Sequence, residues 1–217
     1  MTRAWTPLTG LALATWLVCF AVLARWGTWL PFAVTGTVLV GWTLFRRTVP
    51  SPLLRPSARH VALGLLGGLL MVASTQLAYA AVSSRVPSVL PATRELFWLL
   101  NVHGFSVAER AVLIAVIASC EEVLFRGPLL VLAEYSGRAA TRPPNSRHVG
   151  TIASFAAAYA LTTSPLQSPL LLLCAFTCGC IWGALGIATC SLTVPILVHV
   201  IWDLGVLIVW PLATNHA

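Results

Sequence analysis

The sequence predicts an all-α protein, a polytopic bundle of about seven membrane-spanning helices, and three observations carry that prediction. The chain is 58% hydrophobic and only 9% charged, with a mean hydropathy of +0.88; a soluble domain carries roughly a quarter of its residues charged. Apolar runs close to the ~20 residues needed to cross a hydrocarbon core recur along it. The arginines gather in the short loops between those runs, the pattern that sets membrane topology. The same distribution excludes a nucleic-acid partner, which would need basic residues gathered on one exposed face. The partner it implies is the lipid bilayer.

The apolar runs cover residues 8–24, 27–45, 61–82, 107–133, 149–163, 169–189 and 192–211, within one integral membrane domain spanning residues 1–217. The first is followed by Arg25-Trp26-Gly27, not by a small-residue cleavage site, so it reads as a retained anchor. Residues 96–102 are apolar but too few to cross, which places them at the interface; an eighth span would need them to pair with another half-span. The fourth run starts on Ser106-Val107-Ala108-Glu109, a capping box that accounts for Glu109 as a helix-start residue. Pro50, Pro52 and Pro56, and then Pro143 and Pro144, mark loops.

All 13 basic residues are arginine, and the net charge is +7. With seven spans, Arg3, Arg46, Arg47, Arg55, Arg59, Arg138, Arg142 and Arg147 share one side, and Arg25, Arg85, Arg94 and Arg110 lie mainly on the other. Positive charge favours the cytoplasm, so the N-terminus is expected inside and the C-terminus outside. The six cysteines lie in or beside apolar runs without a CxxC pair, as small buried side chains do. His60, His103, His148 and His216 sit in loops or at ends, where they read as solvated or interfacial.

Against this background Ser119-Cys120-Glu121-Glu122-Val123-Leu124-Phe125-Arg126 stands out. Glu121 lies roughly 20 Å beyond the helix start, at 1.5 Å per residue, which places it about two thirds of the way across, in the cytoplasmic half. Glu122 and Arg126 are spaced to share a helix face and neutralise each other, because a lone charge at that depth is costly. Glu121, turned about 100° away, has no local partner. On the last run His199 and Asp203 are again four apart, with His199 roughly 10 Å from the cytoplasmic end of that span. Two runs distant in sequence thus bring ionisable groups to one layer. Ser119, Thr162 and Thr163 are further hydrogen-bonding groups at depth, but no histidine is spaced to activate a serine nucleophile.

These residues carry a resemblance. Glu121 to Arg126 resembles the EExxxR motif of the CAAX-protease and bacteriocin-processing (Abi) family, and His199 to Asp203 is similar to its late HxxxN/D motif. The likeness covers roughly residues 107–209. It implies an intramembrane endopeptidase acting on a membrane-associated protein or peptide, such as a CAAX-like tail, a sorting tail or a leader peptide. It implies Glu121 as general base or ligand, Glu122 with Arg126 as support, and His199 holding water or metal. Asp203 would bind the oxyanion if protonated, and orient His199 or bind metal if ionised. A divalent metal such as zinc is a possible cofactor, with Glu121, His199 and Asp203 as its candidate ligands. The compact relatives point to a bacterial inner membrane, and the depth of Glu121 to a cytoplasmic cut. One departure stands out: the family's middle FxxxH motif reads Phe155-Ala156-Ala157-Ala158-Tyr159, with tyrosine in place of histidine. A phenol donates a hydrogen bond but is a poor base, so either one histidine and Tyr159 suffice, or proteolysis is lost and the chain is an immunity factor or scaffold. A proton- or cation-coupled transporter is a third reading, for which internal repeats are missing.

Overall fold

The computed structural model describes residues 5–100, 105–136 and 146–212; Arg3, His103, Arg138, Arg142, Pro143, Pro144 and His216 lie outside them. The described residues are helical and contain no strand. The helices are α1 Trp5–Trp26, α2 Leu30–Phe45, α3 Ala58–Ser83, α4 Val89–Leu100, α5 Val107–Glu121, α6 Gly127–Ser136, α7 Ser146–Thr162, α8 Pro169–Thr189 and α9 Thr193–Leu204. Each expected apolar run has its helix. Helices α5 and α6 are one continuous rod, joined by a π-helical turn over Glu122–Arg126. A second π turn, Gly205–Val209, extends α9.

By length and composition Pro7–Trp26, Ala58–Ser83 and Pro169–Thr189 can each cross a membrane, while Leu30–Phe45 and Thr193–Val209 are shorter apolar helices. The surface agrees with a bilayer setting: Leu65, Leu66, Leu69, Leu70 and Leu77 of α3 are all exposed. Water would not tolerate so large an apolar face; lipid does. Helix α4, at about 18 Å, is too short to cross. It buries Thr93 and Leu96 and leaves Trp98 exposed, as an interfacial helix should.

Helix starts follow local chemistry. Ser106 accepts a hydrogen bond from the Glu109 N–H at 3.3 Å, and the Ser106 N–H donates to Glu109 Oε2 at 2.7 Å, which completes the expected capping box. Ser57 and Ser168 cap α3 and α8 by the side chain alone, accepting from the His60 and Leu171 N–H groups.

Close approach sets the position of α9. It lies along α3, where Gly64 and Gly68 face it: a Cβ on Gly64 would stand 2.6 Å from Leu197, and one on Gly68 2.7 Å from Ile201. Small residues four apart allow backbones in lipid to approach and gain dispersion contacts. The end of the bundle below the π turn is closed. There Val49, Leu53, Val123, Leu130, Val131 and Leu192 form a buried cluster, and the Leu192 N–H donates to the Leu53 carbonyl at 2.8 Å. That end carries the arginine-rich loop between α2 and α3.

Candidate active site

Five segments bring the site together: α1, the α5 end with its π turn, the last turn of α7, the second half of α8, and α9. Glu121, Glu122, Arg126 and His199 are buried, and Tyr159 packs beside them. The π turn is bonded from the Gly127 N–H to the Glu122 carbonyl, one residue wider than an α-turn. Such widened turns recur at functional sites because they re-aim side chains. Here the pair Arg126 Nη1 to Glu122 Oε1 spans 3.4 Å.

Glu122 does more than pair with arginine. Its Oε1 lies 2.8 Å from His199 Nδ1, so the shortest carboxylate contact of the histidine is to Glu122. Glu121 is farther, 3.8 Å from His199 Nε2, and Asp203 is 3.4 Å from the same nitrogen. The sequence pairs Glu122 with Arg126 and Glu121 with His199; in the structure Glu122 contacts both basic side chains. A carboxylate only accepts, so Nδ1 carries the proton of that bond and Nε2 faces Glu121 and Asp203.

Glu121 is held by two neutral donors from distant helices. The Trp16 indole N–H donates to Oε1 at 2.7 Å, and the Tyr159 hydroxyl donates to Oε2 at 2.6 Å. The tyrosine that replaces the expected histidine is therefore a contact of the leading glutamate, and its ring also lies 4.9 Å from the Arg126 guanidinium. Ser119, Thr162 and Thr163 instead bond to carbonyls of their own helical segments, at Ala115, Tyr159 and Ala160.

Two tryptophans escape a reading based on ionisable residues. Trp16 comes from α1, 105 positions away from Glu121. Trp182 on α8 stacks on His199 with ring centroids 3.6 Å apart and covers Arg126 at 5.1 Å. The only sequence signal for either is a tryptophan within an apolar run, which packing alone also explains.

A cavity of about 120 Å³ runs from this layer toward the α5 N-terminus; Glu121, Tyr159, Trp182, His199 and Asp203 line it, and Glu122 and Arg126 do not. Its other walls include Trp29, Leu100, Ile114 and Leu207, so it points away from the closed end. Among the described residues, no group of three or more His, Cys, Asp or Glu is arranged to hold a metal ion. The candidates Glu121, His199 and Asp203 do approach one another, but both oxygens of Glu121 already accept hydrogen bonds. Zinc ligands sit at about 2.0–2.2 Å, and the present donor set does not fit one without losing those bonds.

A carboxylate positioned by neutral donors beside an imidazole, at the inner end of a cavity in an apolar bundle, suits water activation inside a membrane. Residues 103–205 match the family described as Type II CAAX prenyl endopeptidase Rce1-like. The family recognised from the two motifs is thereby borne out. The match supports a CAAX-type intramembrane endopeptidase in general. It includes Glu121, Glu122, Arg126, Tyr159, His199 and Asp203; Trp16 lies outside it. No curated protein and no solved structure matches the chain.

Proposed function

We propose that the protein is an intramembrane endopeptidase that hydrolyses a peptide bond of a membrane-associated protein or peptide with water activated by Glu121. One observation carries this reading: of two adjacent buried glutamates, Glu122 is occupied by Arg126 and His199, whereas Glu121 faces the cavity on neutral donors. Glu121 takes a proton from water as the oxygen attacks the scissile carbonyl. It then returns that proton to the leaving amine as the C–N bond breaks. His199, fixed by Glu122 and Trp182, presents Nε2 as a hydrogen-bond acceptor that orients the second O–H of the attacking water, and Asp203, 3.4 Å from the same nitrogen, helps to set the ring's position. Tyr159 and Trp16 keep the carboxylate aimed. No metal is required for this sequence of steps.

Comparing new protein termini in membranes of cells making wild-type protein or Glu121→Gln tests the reading. Termini present with wild type and absent with Glu121→Gln, at equal protein abundance, are expected and would name the substrate. Identical termini in both sink the protease reading and favour an immunity factor or scaffold.

A further inference from the structure

The closed end of the bundle carries chemistry of its own. Arg46, Arg47, Arg55 and Arg59 are all exposed there, and residues 42–60 include no acidic side chain. Among the described residues no carboxylate pairs with any of the four. The loop that holds them is a fixed platform, because its Val49 and Leu53 are buried in the apolar cluster beneath it. Arg47 follows the α2 C-cap with a φ of +50°, a left-handed position that glycine normally takes. The Thr48 N–H and hydroxyl both donate to the Thr43 carbonyl and hold that turn. A charged side chain kept where glycine would be less strained points to a use for it.

Beside these arginines α2 exposes Val34, Val38, Trp42 and Phe45. Val34, Val38 and Trp42 are four apart and form one stripe on the helix. The Arg46 guanidinium lies 5.6 Å from the Trp42 ring, at the foot of that stripe. From Val34 to Arg46 the chain rises about 18 Å, close to half of the ~30 Å hydrocarbon core. The face is therefore apolar for one leaflet, aromatic at its edge and cationic just beyond. We infer that it binds one anionic phospholipid, with the phosphate in the forks of Arg46 and Arg47 and an acyl chain along Val34, Val38 and Trp42. Arginine suits this role better than lysine, since a planar guanidinium pairs with two phosphate oxygens at once. An acidic protein would use the arginines and leave the apolar stripe unexplained. The site is separate from the catalytic path: the cavity at Glu121 and an adjoining one of about 320 Å³, which share Trp29, Leu100, Ile114 and Leu207, open at the opposite end.

Native mass spectrometry of the full chain in detergent tests this, with phosphatidylglycerol and phosphatidylcholine of identical chains as probes. Phosphatidylglycerol is expected to bind at least fivefold tighter. The variant Arg46→Gln with Arg47→Gly removes both charges and gives the left-handed position the residue that favours it, so the fold is kept. It should bring the two lipids within twofold of each other without lowering the melting temperature. Should it melt early, Arg46→Gln alone, at one exposed side chain, is expected to halve the preference or more. Arg85→Gln with Arg94→Gln, which removes the same charge from other exposed positions, should leave the preference intact. Glycerol 3-phosphate at the same concentration as the lipid should not compete, because it lacks the chain that lies on the stripe. Equal affinity for the two lipids, or a preference that survives the Arg46 and Arg47 changes, overturns the site. Equal loss in the Arg85 and Arg94 variant reduces it to net charge, and competition by glycerol 3-phosphate reduces it to a phosphate site; either result also overturns it.

Discussion

Glu121 depends on partners that its own helix does not supply. Its two hydrogen bonds come from Trp16 on α1 and Tyr159 on α7, and a hydrogen bond to a charged group is worth about 1.5–3 kcal/mol. Losing either bond misplaces the carboxylate without unfolding the bundle. Tyr159→Phe and Trp16→Phe are each expected to lower kcat by roughly ten- to a hundredfold, with KM little changed, measured on a substrate identified from its termini. Full activity in Tyr159→Phe would return the tyrosine to a packing role. His199 carries a different burden: it contacts Glu122, Glu121 and Asp203 together and stacks on Trp182. Replacing it leaves Glu122 with Arg126 as its remaining ionic partner and takes Nε2 from the cavity, so His199→Ala is expected to abolish cleavage.

Among the elements, α9 is the most tightly specified. It carries His199 and Asp203, and the Gly64 and Gly68 surface of α3 sets its distance from the rest of the bundle. Gly68→Leu must push Ile201 and α9 outward, since overpacking costs about 1–3 kcal/mol. A lower melting temperature in detergent together with lost cleavage is the expected outcome. Gly41→Ala, where a Cβ meets nothing within 4 Å, should change neither. If Gly68→Leu melts and cleaves like wild type, the close packing does not position the site. The π turn is the other specified element. It was not legible as such, because EVLFR reads equally well as ordinary α-helix and only its packed surroundings favour the wider turn. The short α4, in contrast, follows from the shortness of its apolar stretch.

The molecule as a whole has one closed and one open end. Leu53, Leu192 and their neighbours close the end bearing the arginine-rich loop, and the two cavities open at the other. If the arginine asymmetry places the closed end in the cytoplasm, substrates reach Glu121 from the opposite face. That differs from the cytoplasmic cut suggested by the depth of Glu121 along its span, because depth does not reveal which way a buried residue is reached. Two native cysteines report the arrangement: Cys174 lines the inner cavity, and Cys190 is exposed beyond the other end of α8. With the remaining cysteines replaced by alanine, a membrane-impermeant thiol reagent added to intact cells should label a Cys174-only protein and spare a Cys190-only protein. Inverted vesicles should give the opposite result. Labelling of Cys190 in intact cells would reverse the orientation.

Much was readable from residue order. Composition and the spacing of apolar runs dictate a helical membrane bundle, since a chain this apolar cannot cover a water-facing surface. The rarity of charge at depth marks Glu121, Glu122, Arg126, His199 and Asp203, because each is costly there unless used or paired. What needed the folded molecule was the assignment of partners: Glu122 rather than Glu121 against His199 Nδ1, Trp16 and Tyr159 on Glu121, Trp182 over the imidazole, and the direction in which the cavity opens. Helical periodicity constrains which residues share a face of one helix, but contacts between helices depend on how side-chain volumes interlock across the bundle. An indole buried for packing and an indole buried to hold a carboxylate look alike until those helices meet.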